Sequence, residues 1–293
     1  IIVYAMVGYA TITENITFNE GAVILRNIEL DQAAIEMEEI IISTPFHKLQ
    51  RDNVMKVERL SASDISNSGA LTLAEGITEI PGVSTISTGV GIGKPVIRGL
   101  SSNRVVTYTQ GVRLENQQFG GEHGLGINAE GVASIEVIKG PASLLYGSDA
   151  LGGVLYINPE RFAPEYQTKA SIKSVYNTNT LGSTTTLGVK SSQSKFKFLF
   201  RGTQATHSDY KTGNNERVTH SRFNENDIKA AFGYQNKTIK SSLRYNYNQS
   251  KIGIPEEIGE QTTSKEMELP YQKSDNHIVS LDNKVFLNNA SLN

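Results

Sequence analysis

The sequence contains no cysteine and no tryptophan, and it has no long apolar run. Without cysteine there are no disulfides and no thiolate metal sites, although an oxidising compartment is still compatible with the chain. No apolar run approaches the roughly 18 residues of a transmembrane helix. The mean hydropathy of −0.30 fits a soluble protein, and it fits equally a membrane β-barrel, in which alternating strands average out.

The formal net charge of −2 gives no reason to expect nucleic acid as a partner.

The sequence shows no arrangement of side chains that is typical of catalysis. No pattern of Ser and Asp residues resembles a nucleophile elbow. The histidines lack the spacing of an H-E-x-x-H site and are scattered at His47, His123, His207, His220 and His277. The sequence therefore predicts no catalytic residue, no enzyme activity and no cofactor.

The most informative stretch runs from Ile135 to Ile157. It begins with a short apolar strand, Ile135-Glu-Val-Ile138, which Lys139-Gly-Pro141 ends. Ala142–Tyr146 can form one helical turn, with proline just before it. Glycines then permit tight turns or close approach of another chain before a second apolar strand, Val154–Ile157.

This stretch resembles the end of the plug domain of TonB-dependent outer-membrane receptors, written I-E-V-x-[RK]-G-P-x-S-x-x-Y-G-x-x-A-x-G-G-V-x-x-I. Nearly every fixed position of that signature is present. Three upstream segments resemble the PGV, glycine-rich and IRG elements of the same family, namely Pro81–Val83, Gly89–Gly93 and Pro95–Leu100. Asn103–Val112 resembles the N-R-V-x-x-x-x-D-G-V element, with Gln110 where an Asp is common. Upstream again, the capping-box pattern Thr72-Leu-Ala-Glu75 predicts a helix that Pro81-Gly82 ends.

The sequence after Pro159 is polar and alternating, which predicts antiparallel strands with one apolar and one polar face. Short turns such as Gln235–Lys237 alternate with long polar segments such as His207–Asn224 and Lys251–Asp275. This pattern suits an outer-membrane barrel or an antiparallel sheet on a core. The predicted strands are Lys169–Tyr176, Thr184–Lys190, Lys195–Thr203, Asp227–Tyr234, Thr238–Tyr247 and His277–Phe286.

The N-terminal region has a different character. Ala10–Phe18 and Val23–Leu30 are each predicted as strands, and the region resembles the end of a carboxypeptidase-regulatory-like sandwich found in receptors of the Bacteroidota type. Any β-sandwich fragment is the alternative. Glu36–Pro45 has acidic residues followed by a short β-branched run and resembles a TonB box. Such a run favours an extended chain, which can add a strand to the edge of a partner's sheet. A buried strand is the alternative. The predicted partner contacts are Glu38, Glu39, Ile40, Ile41 and Ile42.

These observations give a domain scheme. Residues 1–32 are predicted as the C-terminal part of a β-sandwich regulatory-like domain, and 33–45 as TonB box and linker. Residues 46–158 are predicted as a mixed α/β plug domain, and 159–293 as the first antiparallel strands of a transmembrane β-barrel. Plugged transporters close with about 22 strands, whereas about six are predicted here. Both ends of the chain also lie in strand-like sequence. We therefore expect a fragment of a longer protein.

The loop Glu115–Gly126 is the predicted ligand-facing surface. It combines glycine, amide and acidic groups, and the resemblance places such loops on the outer side of the plug. Glu122 and His123 offer an oxygen and an imidazole and are candidate ligands for a metal or an iron complex. A hydrogen bond of His123 within the loop is the alternative. The predicted ligand-facing residues are Gln117, Gln118, Phe119, Glu122 and His123.

Four charged residues match positions that the family uses to fit the plug inside the barrel: Arg98, Arg104, Glu136 and Lys139. An ordinary solvated ion pair, contributing ~0–1 kcal/mol, is the alternative.

The resemblance implies a TonB-dependent receptor in the bacterial cell outer membrane. Such a receptor would actively take up a scarce ligand, and the expected ligand is a ferric siderophore, haem or another metal complex. The implied partners are a TonB-type energising protein, the ligand and outer-membrane lipid. A non-transporting surface binding or adhesion protein is the main alternative, and a soluble β-rich enzyme is a third, disfavoured by the lack of a catalytic set.

Overall fold

The computed structural model describes residues 2–4, 12–14, 16, 25–30, 57–118, 120–255, 257–287 and 290–292. The chain divides into two compact units, Ile1–Val54 and Met55–Asn293. The predicted TonB-box residues Glu38, Glu39, Ile40, Ile41 and Ile42 lie outside the described residues.

In the first unit, β1 (Ile2–Tyr4) pairs antiparallel with β2 (Ile12–Glu14). The β2 strand falls inside the predicted strand Ala10–Phe18. Residues 25–30 have no regular secondary structure, so the strand predicted for Val23–Leu30 is wrong over these residues. Among the described residues, 25–30 pair with no strand, and residues that favour strands do not form one without a ladder partner.

The plug sheet of the second unit has five strands, in the spatial order β3-β8-β9-β6-β7. The β6 strand runs parallel to β9, and the other pairs are antiparallel. One face of the centre of the sheet is apolar, since Ile135, Val137, Leu155 and Ile157 lie on the same face and are all fully buried. The strands are β3 (Val57–Ser61), β6 (Val105–Thr109), β7 (Val112–Leu114), β8 (Val132–Ile138) and β9 (Gly153–Pro159).

The signature stretch folds as its sequence predicts. Strand β8 is followed by a six-residue 3₁₀ helix, Pro141–Tyr146, and then by β9. Gly153 adopts φ +148°, and a Cβ there would lie 2.8 Å from the carbonyl oxygen of Ile138. Only glycine fits this close approach without strain.

Two short helices cover the plug sheet. Ser61 caps α1 (Ala62–Asn67), and the Thr72 hydroxyl caps α2 (Leu73–Gly76) by accepting from the Glu75 amide at 3.2 Å. The cap at Thr72 was predicted, but the helix is shorter than expected because its last turn is a 3₁₀ helix at Ile77–Glu79. Among the described residues, no helix has both the length and the apolar character needed to cross a membrane.

A separate hairpin follows the helices. It pairs β4 (Val83–Gly89) with β5 (Ile92–Ile97), and the glycine-rich segment forms its turn. All six residues of β5 are buried, so this hairpin is held firmly against the plug.

Strands β10 to β16 form a second sheet in strict sequence order, each antiparallel to the next. Short turns at 194–195 and 236–238 close one end. The other end has the short connection 178–181 and the long loops 208–222 and 254–270. This confirms the predicted alternation of turn lengths. The strands are β10 (Gln167–Asn177), β11 (Gly182–Gln193), β12 (Phe196–His207), β13 (Phe223–Gln235), β14 (Ile239–Gly253), β15 (Tyr271–Leu287) and β16 (Ala290–Leu292).

The two faces of this sheet differ as the alternation predicts. Phe196, Phe198 and Phe200 point away from the plug and are exposed, whereas Arg201, the next residue of the strand, points toward the plug and bonds there. Several strands extend beyond their predicted ends. The added residues are mostly polar, with exceptions such as Phe223 and Ile252, so the alternating pattern weakens before the backbone pairing ends.

Candidate functional site

A cavity of about 360 Å³ lies between the plug and the second sheet. The plug contributes α2 and the segment 123–129, and the sheet contributes β13, β14 and β15. The sheet residues Phe223, Ile252 and Gln272 lie beside the long loops, so the cavity is at the long-loop end of the strands. Ligand sites in proteins have volumes of roughly 300–1,000 Å³. The cavity is therefore large enough for a small ligand or for one part of a larger one.

The plug segment at the cavity is fixed by hydrogen bonds to its surroundings. Asn116 Nδ2 donates to Asn276 Oδ1 of β15 at 2.7 Å, and Gln272 Nε2 donates to His123 Nδ1 at 2.6 Å. Lys94 Nζ donates to the Gly120 carbonyl. Burial lowers the pKa of Lys94, and the negative charge of Glu122 partly offsets this effect. The predicted ligand-facing loop thus joins the plug to the wall of the sheet.

The predicted ligand-facing residues have different positions in this loop. The prediction that Gln117 faces the ligand is wrong, because this residue is 1% exposed. Its side-chain amide donates to the Val105 carbonyl at 2.7 Å and to Thr107 Oγ1 at 3.1 Å. Its amide is used inside the plug. Gln118 is half-buried, and Phe119 lies outside the described residues.

The described residues add no third metal ligand to the candidate pair Glu122 and His123. Glu122 and His123 are half-buried, and His123 lines the cavity. Within the described part of the chain, no group of three or more His, Cys, Asp or Glu side chains could hold a metal ion. A metal role for Glu122 and His123 stays a prediction, and His123 Nδ1 accepts a hydrogen bond from Gln272 of β15.

The four predicted plug–barrel charges lie in the plug or on its surface. Lys139 Nζ donates to the Pro81 carbonyl and is 3.5 Å from Glu58, a neighbour in the plug sheet. Glu136 is fully buried in β8 and accepts from Asn158 Nδ2 at 2.9 Å. Arg98 and Arg104 are exposed. Their role against a barrel wall stays a prediction.

Different ionic groups join the plug to the second sheet. Glu160, directly after β9, accepts two bonds from Arg201, at 2.7 and 2.9 Å, and one from Lys190 at 2.8 Å. Burial alone would raise the pKa of Glu160, but these bonds outweigh it and hold the pKa below its usual value. Glu130, also in the plug, is 2.6 Å from Lys173 of β10.

Sequence analysis did not identify these contacts, although a signal for them was present. Lys190 and Arg201 occupy inward positions in the alternating pattern of β11 and β12, where a largely shielded cation needs a partner. Lys173 of β10 is more exposed. The positions of the acidic partners, just outside the plug strands, carry no local pattern.

A third contact between plug and sheet lies in the cavity. Glu225 of β13 accepts from Asn128 Nδ2 of the plug at 2.7 Å and from Asn248 Nδ2 of β14 at 2.6 Å. Asn248 Nδ2 is also 3.2 Å from Asp227 Oδ2. Both carboxyl oxygens of Glu225 therefore accept a hydrogen bond from an asparagine amide, one from the plug and one from the sheet.

The long loops at this end are tied to each other. Asp209 and Arg222 form a fully buried ion pair of 2.7 Å within the loop 208–222. Arg222 Nη1 also donates to the Glu266 carbonyl of the next loop at 2.9 Å. A second link is the bond from the Arg217 amide to Gln261 Oε1 at 2.7 Å. The loops beside the cavity thus form one connected cluster.

Comparisons with known proteins agree with this architecture. Residues 50–154 match the family model described as TonB-dependent Receptor Plug Domain. The chain is 30% identical over 119 residues to the vitamin B12 transporter BtuB of Photobacterium profundum, a match covering 40% of this chain and 20% of that protein. It is 39% identical over 99 residues to the heme/hemopexin utilization protein C of Haemophilus influenzae, covering 33% and 14%. The matches thus span a fifth or less of these relatives.

Solved structures show the same fold over more of the chain. A ferric enterobactin receptor mutant of Pseudomonas aeruginosa, PfeA, has a TM-score of 0.62 at 17% identity and covers 80% of this chain and 39% of its own. The copper transporter OprC has a TM-score of 0.59 at 22% identity, covering 68% and 31%. The chain therefore carries a TonB-dependent receptor plug domain followed by antiparallel strands, and the named relatives are transporters and receptors.

Proposed function

We propose that this chain acts in a TonB-dependent receptor of the bacterial outer membrane that actively imports a scarce ligand. The ligand class we propose is a ferric siderophore, haem or another metal complex, because the relatives are named as transporters or receptors of vitamin B12, heme and ferric enterobactin. The observation that carries the proposal is the plug domain docked by buried ion pairs against the polar face of an antiparallel sheet.

The outer face of the sheet supports a membrane location. Phe198, Phe200, Phe232 and Leu243 are each about half exposed on neighbouring strands. Apolar side chains in such a band are costly in water and favourable in lipid. Outer-membrane lipid is therefore the proposed partner of this face.

The long-loop end supports ligand capture there. In outer-membrane barrels, the short turns lie on the periplasmic side and the long loops outside the cell. The cavity beside the long loops would then face the medium, and the plug residues at its base, including Glu122 and His123, would lie beneath an incoming ligand.

The energy for uptake would come from a partner protein. Glu38–Ile42 is the proposed contact with a TonB-type energising protein, through backbone pairing of an extended segment. Force on this segment would loosen contacts between plug and sheet.

Four charged residues are proposed to stabilise the plug within the complete barrel, namely Arg98, Arg104, Glu136 and Lys139. Residues 1–32 are proposed to be the end of a regulatory-like sandwich of the Bacteroidota type.

Uptake by whole cells tests the proposal. Cells carrying the full-length gene, with and without residues 38–42, would be given labelled ferric siderophores, haem, cobalamin and zinc. We expect one compound to accumulate only with the segment intact. Equal binding by both strains without accumulation would instead favour the alternative function, a non-transporting surface binding or adhesion protein.

A further inference from the structure

The outward face of the second sheet changes from apolar to polar along its strands. Near the short turns, neighbouring strands carry the exposed side chains of Phe198, Phe232, Leu243 and Leu281 as register partners. Nearer the long loops, two successive rows of register partners on the same strands have only polar outward side chains. They include Gln204, Asn226, Gln249, Lys251, Lys273 and Asp275. The surface of a membrane barrel changes in this way where lipid tails give way to headgroups.

Aromatic side chains lie at the boundary between these two regions. Tyr245 and Tyr247 are outward residues of β14, between Leu243 and the polar rows. The ring of Tyr247 packs on His277 with centroids 4.8 Å apart, and its hydroxyl donates to Asp275 Oδ1 at 3.3 Å. Tyrosine is enriched at membrane–water interfaces, because its ring is apolar and its hydroxyl is polar. The polar rows beyond Tyr247 are therefore at the depth of the lipid headgroups.

A groove of about 250 Å³ opens among the polar rows, on β12, β13 and β14. Gln204 and Asn226 line it, and among the described residues their side-chain amides have no hydrogen-bond partner. Each amide offers both donors and an acceptor. Asn224, which also lines the groove, donates to the Lys265 carbonyl at 3.4 Å, so the loop 254–270 borders it. These walls match a hydroxyl-rich group better than an acyl chain.

Two lysines lie opposite each other at the edge of this groove. Lys251 lines the groove and is the register partner of Lys273 on β15. Like charges directly opposite on neighbouring strands repel each other. Lys273 Nζ is 3.2 Å from Asp275 Oδ2, which compensates one charge, whereas Lys251 has no ion-pair partner among the described residues. A positive charge therefore remains at the groove, and an anion bound there would relieve the repulsion.

We propose that this groove binds the phosphorylated headgroup of a glycolipid in the leaflet at the long-loop end. Lys251 and Lys273 attract its phosphate. Gln204 and Asn226 form hydrogen bonds with its sugar hydroxyls. This inference rests on the proposed outer-membrane location and adds a lipid site on the face opposite the ligand cavity. A soluble phosphate compound fits less well, because it would leave the adjoining apolar surface at Ile228 without a partner.

Native mass spectrometry of the full-length protein in detergent tests the ligand class. The probes are lipid A, a phosphorylated glycolipid, its dephosphorylated form, and phosphatidylglycerol, which has a phosphate but no sugar. We expect lipid A to bind roughly tenfold or more tightly than either other probe. Equal binding of the dephosphorylated form overturns the role of the phosphate, and equal binding of phosphatidylglycerol overturns that of the sugar. This ranking requires no variant to fold.

Variants of the lysine test the site. Lys251→Gln removes the uncompensated charge and should weaken lipid A binding roughly fivefold, without changing binding of the dephosphorylated form. Lys251→Arg keeps the charge and should retain the affinity. Lys195→Gln is the control, since Lys195 is an exposed lysine at the short-turn end of the same sheet. Equal lipid A affinities of Lys251→Gln and Lys195→Gln would contradict the site.

Failure of the lipid site can be told apart from failure of the proposed function. Uptake that requires residues 38–42, in a protein that binds the three lipids equally, would overturn the lipid site alone. Extraction of the full-length protein from cells without detergent would instead overturn the outer-membrane location, and with it the proposed function.

Discussion

Glu160 Oε2 lies 2.7 Å from Arg201 Nε, and Glu160 Oε1 lies 2.9 Å from Arg201 Nη2. This two-point pairing joins the residue that follows the last plug strand to the second sheet. Lys190 adds a third bond to the same carboxylate. Both partners of the pair are about 15% exposed, so the interaction is largely shielded from water.

Replacing this carboxylate should loosen the plug. Glu160→Gln leaves Arg201 and Lys190 without their counter-charge, and breaking a buried pair in this way costs roughly 3–5 kcal/mol. We expect faster hydrogen exchange in β8 and β9 of the full-length protein. Glu165→Gln, at an exposed position nearby, is the control and should change exchange little. Equal exchange in both variants would mean that the pair does not hold the plug.

The same pair predicts a response to acid. The pKa of Glu160 is lowered in the folded protein, so its contribution to stability is present above its unfolded pKa and is lost as pH falls through the folded pKa. Plug protection should therefore decrease below about pH 4. Hydrogen exchange measured across this range should show the decrease in wild type and a smaller one in Glu160→Gln. Parallel pH profiles would contradict this assignment.

The loop cluster should depend on the buried pair Asp209–Arg222. Arg222→Met leaves the buried Asp209 charge uncompensated, at a cost of roughly 3–5 kcal/mol. We expect faster limited proteolysis in the loops 208–222 and 254–270. The double variant Asp209→Leu/Arg222→Met should recover part of the protection, because it leaves no lone charge.

Lys211→Met in the same loop, which removes the hydrogen bond from Lys211 Nζ to Asn215 Oδ1, is the control for this experiment, and it should behave as wild type. Proteolysis of Arg222→Met at the wild-type rate would show that the ion pair does not connect the loops.

The plug–sheet contact at Asn116 should require glycine at position 126. Gly126 has φ +66°, and a Cβ there would clash with Asn116 Nδ2 and lie 2.8 Å from Asn276 Nδ2. Gly126→Ala should break the Asn116–Asn276 hydrogen bond, with a further backbone cost of about 1–2 kcal/mol. Gly121→Ala, with no atom within 4 Å of its Cβ, is the control. Hydrogen exchange of the segment 115–128 should increase only in Gly126→Ala.

Much of the second unit was predictable from local pattern. The stretch Ile135–Ile157 specifies its own strand, turn and strand, because glycine and proline fix the backbone where it must turn. The alternation of Phe196, Phe198 and Phe200 with Lys195, Lys197 and Leu199 indicated a strand with two different faces. Such signals act over a few residues and need no knowledge of the partner.

The contacts that join plug and sheet could not be predicted in the same way. Glu160 and Arg201 are 41 residues apart, and their pairing depends on where the strands pass the plug. Gln117 looked like a ligand contact because its loop is polar, yet its amide donates to the buried carbonyl of Val105. Neither pairing has a sequence period, so only the three-dimensional arrangement reveals it.

The most direct test of the account concerns the segment proposed to receive force. Ile40→Pro and Ile41→Pro each remove one backbone N–H, and because successive N–H groups of a strand point to opposite sides, one variant must disrupt pairing with a TonB-type partner. Ile40→Val and Ile41→Val keep the β-branched shape and serve as controls.

Cells carrying each variant of the full-length protein would be compared for surface binding and for internal accumulation of the transported compound. The account predicts that binding is retained in all four, while accumulation in at least one proline variant falls to the level of cells without the gene. Normal accumulation in both proline variants would contradict energised import through this segment.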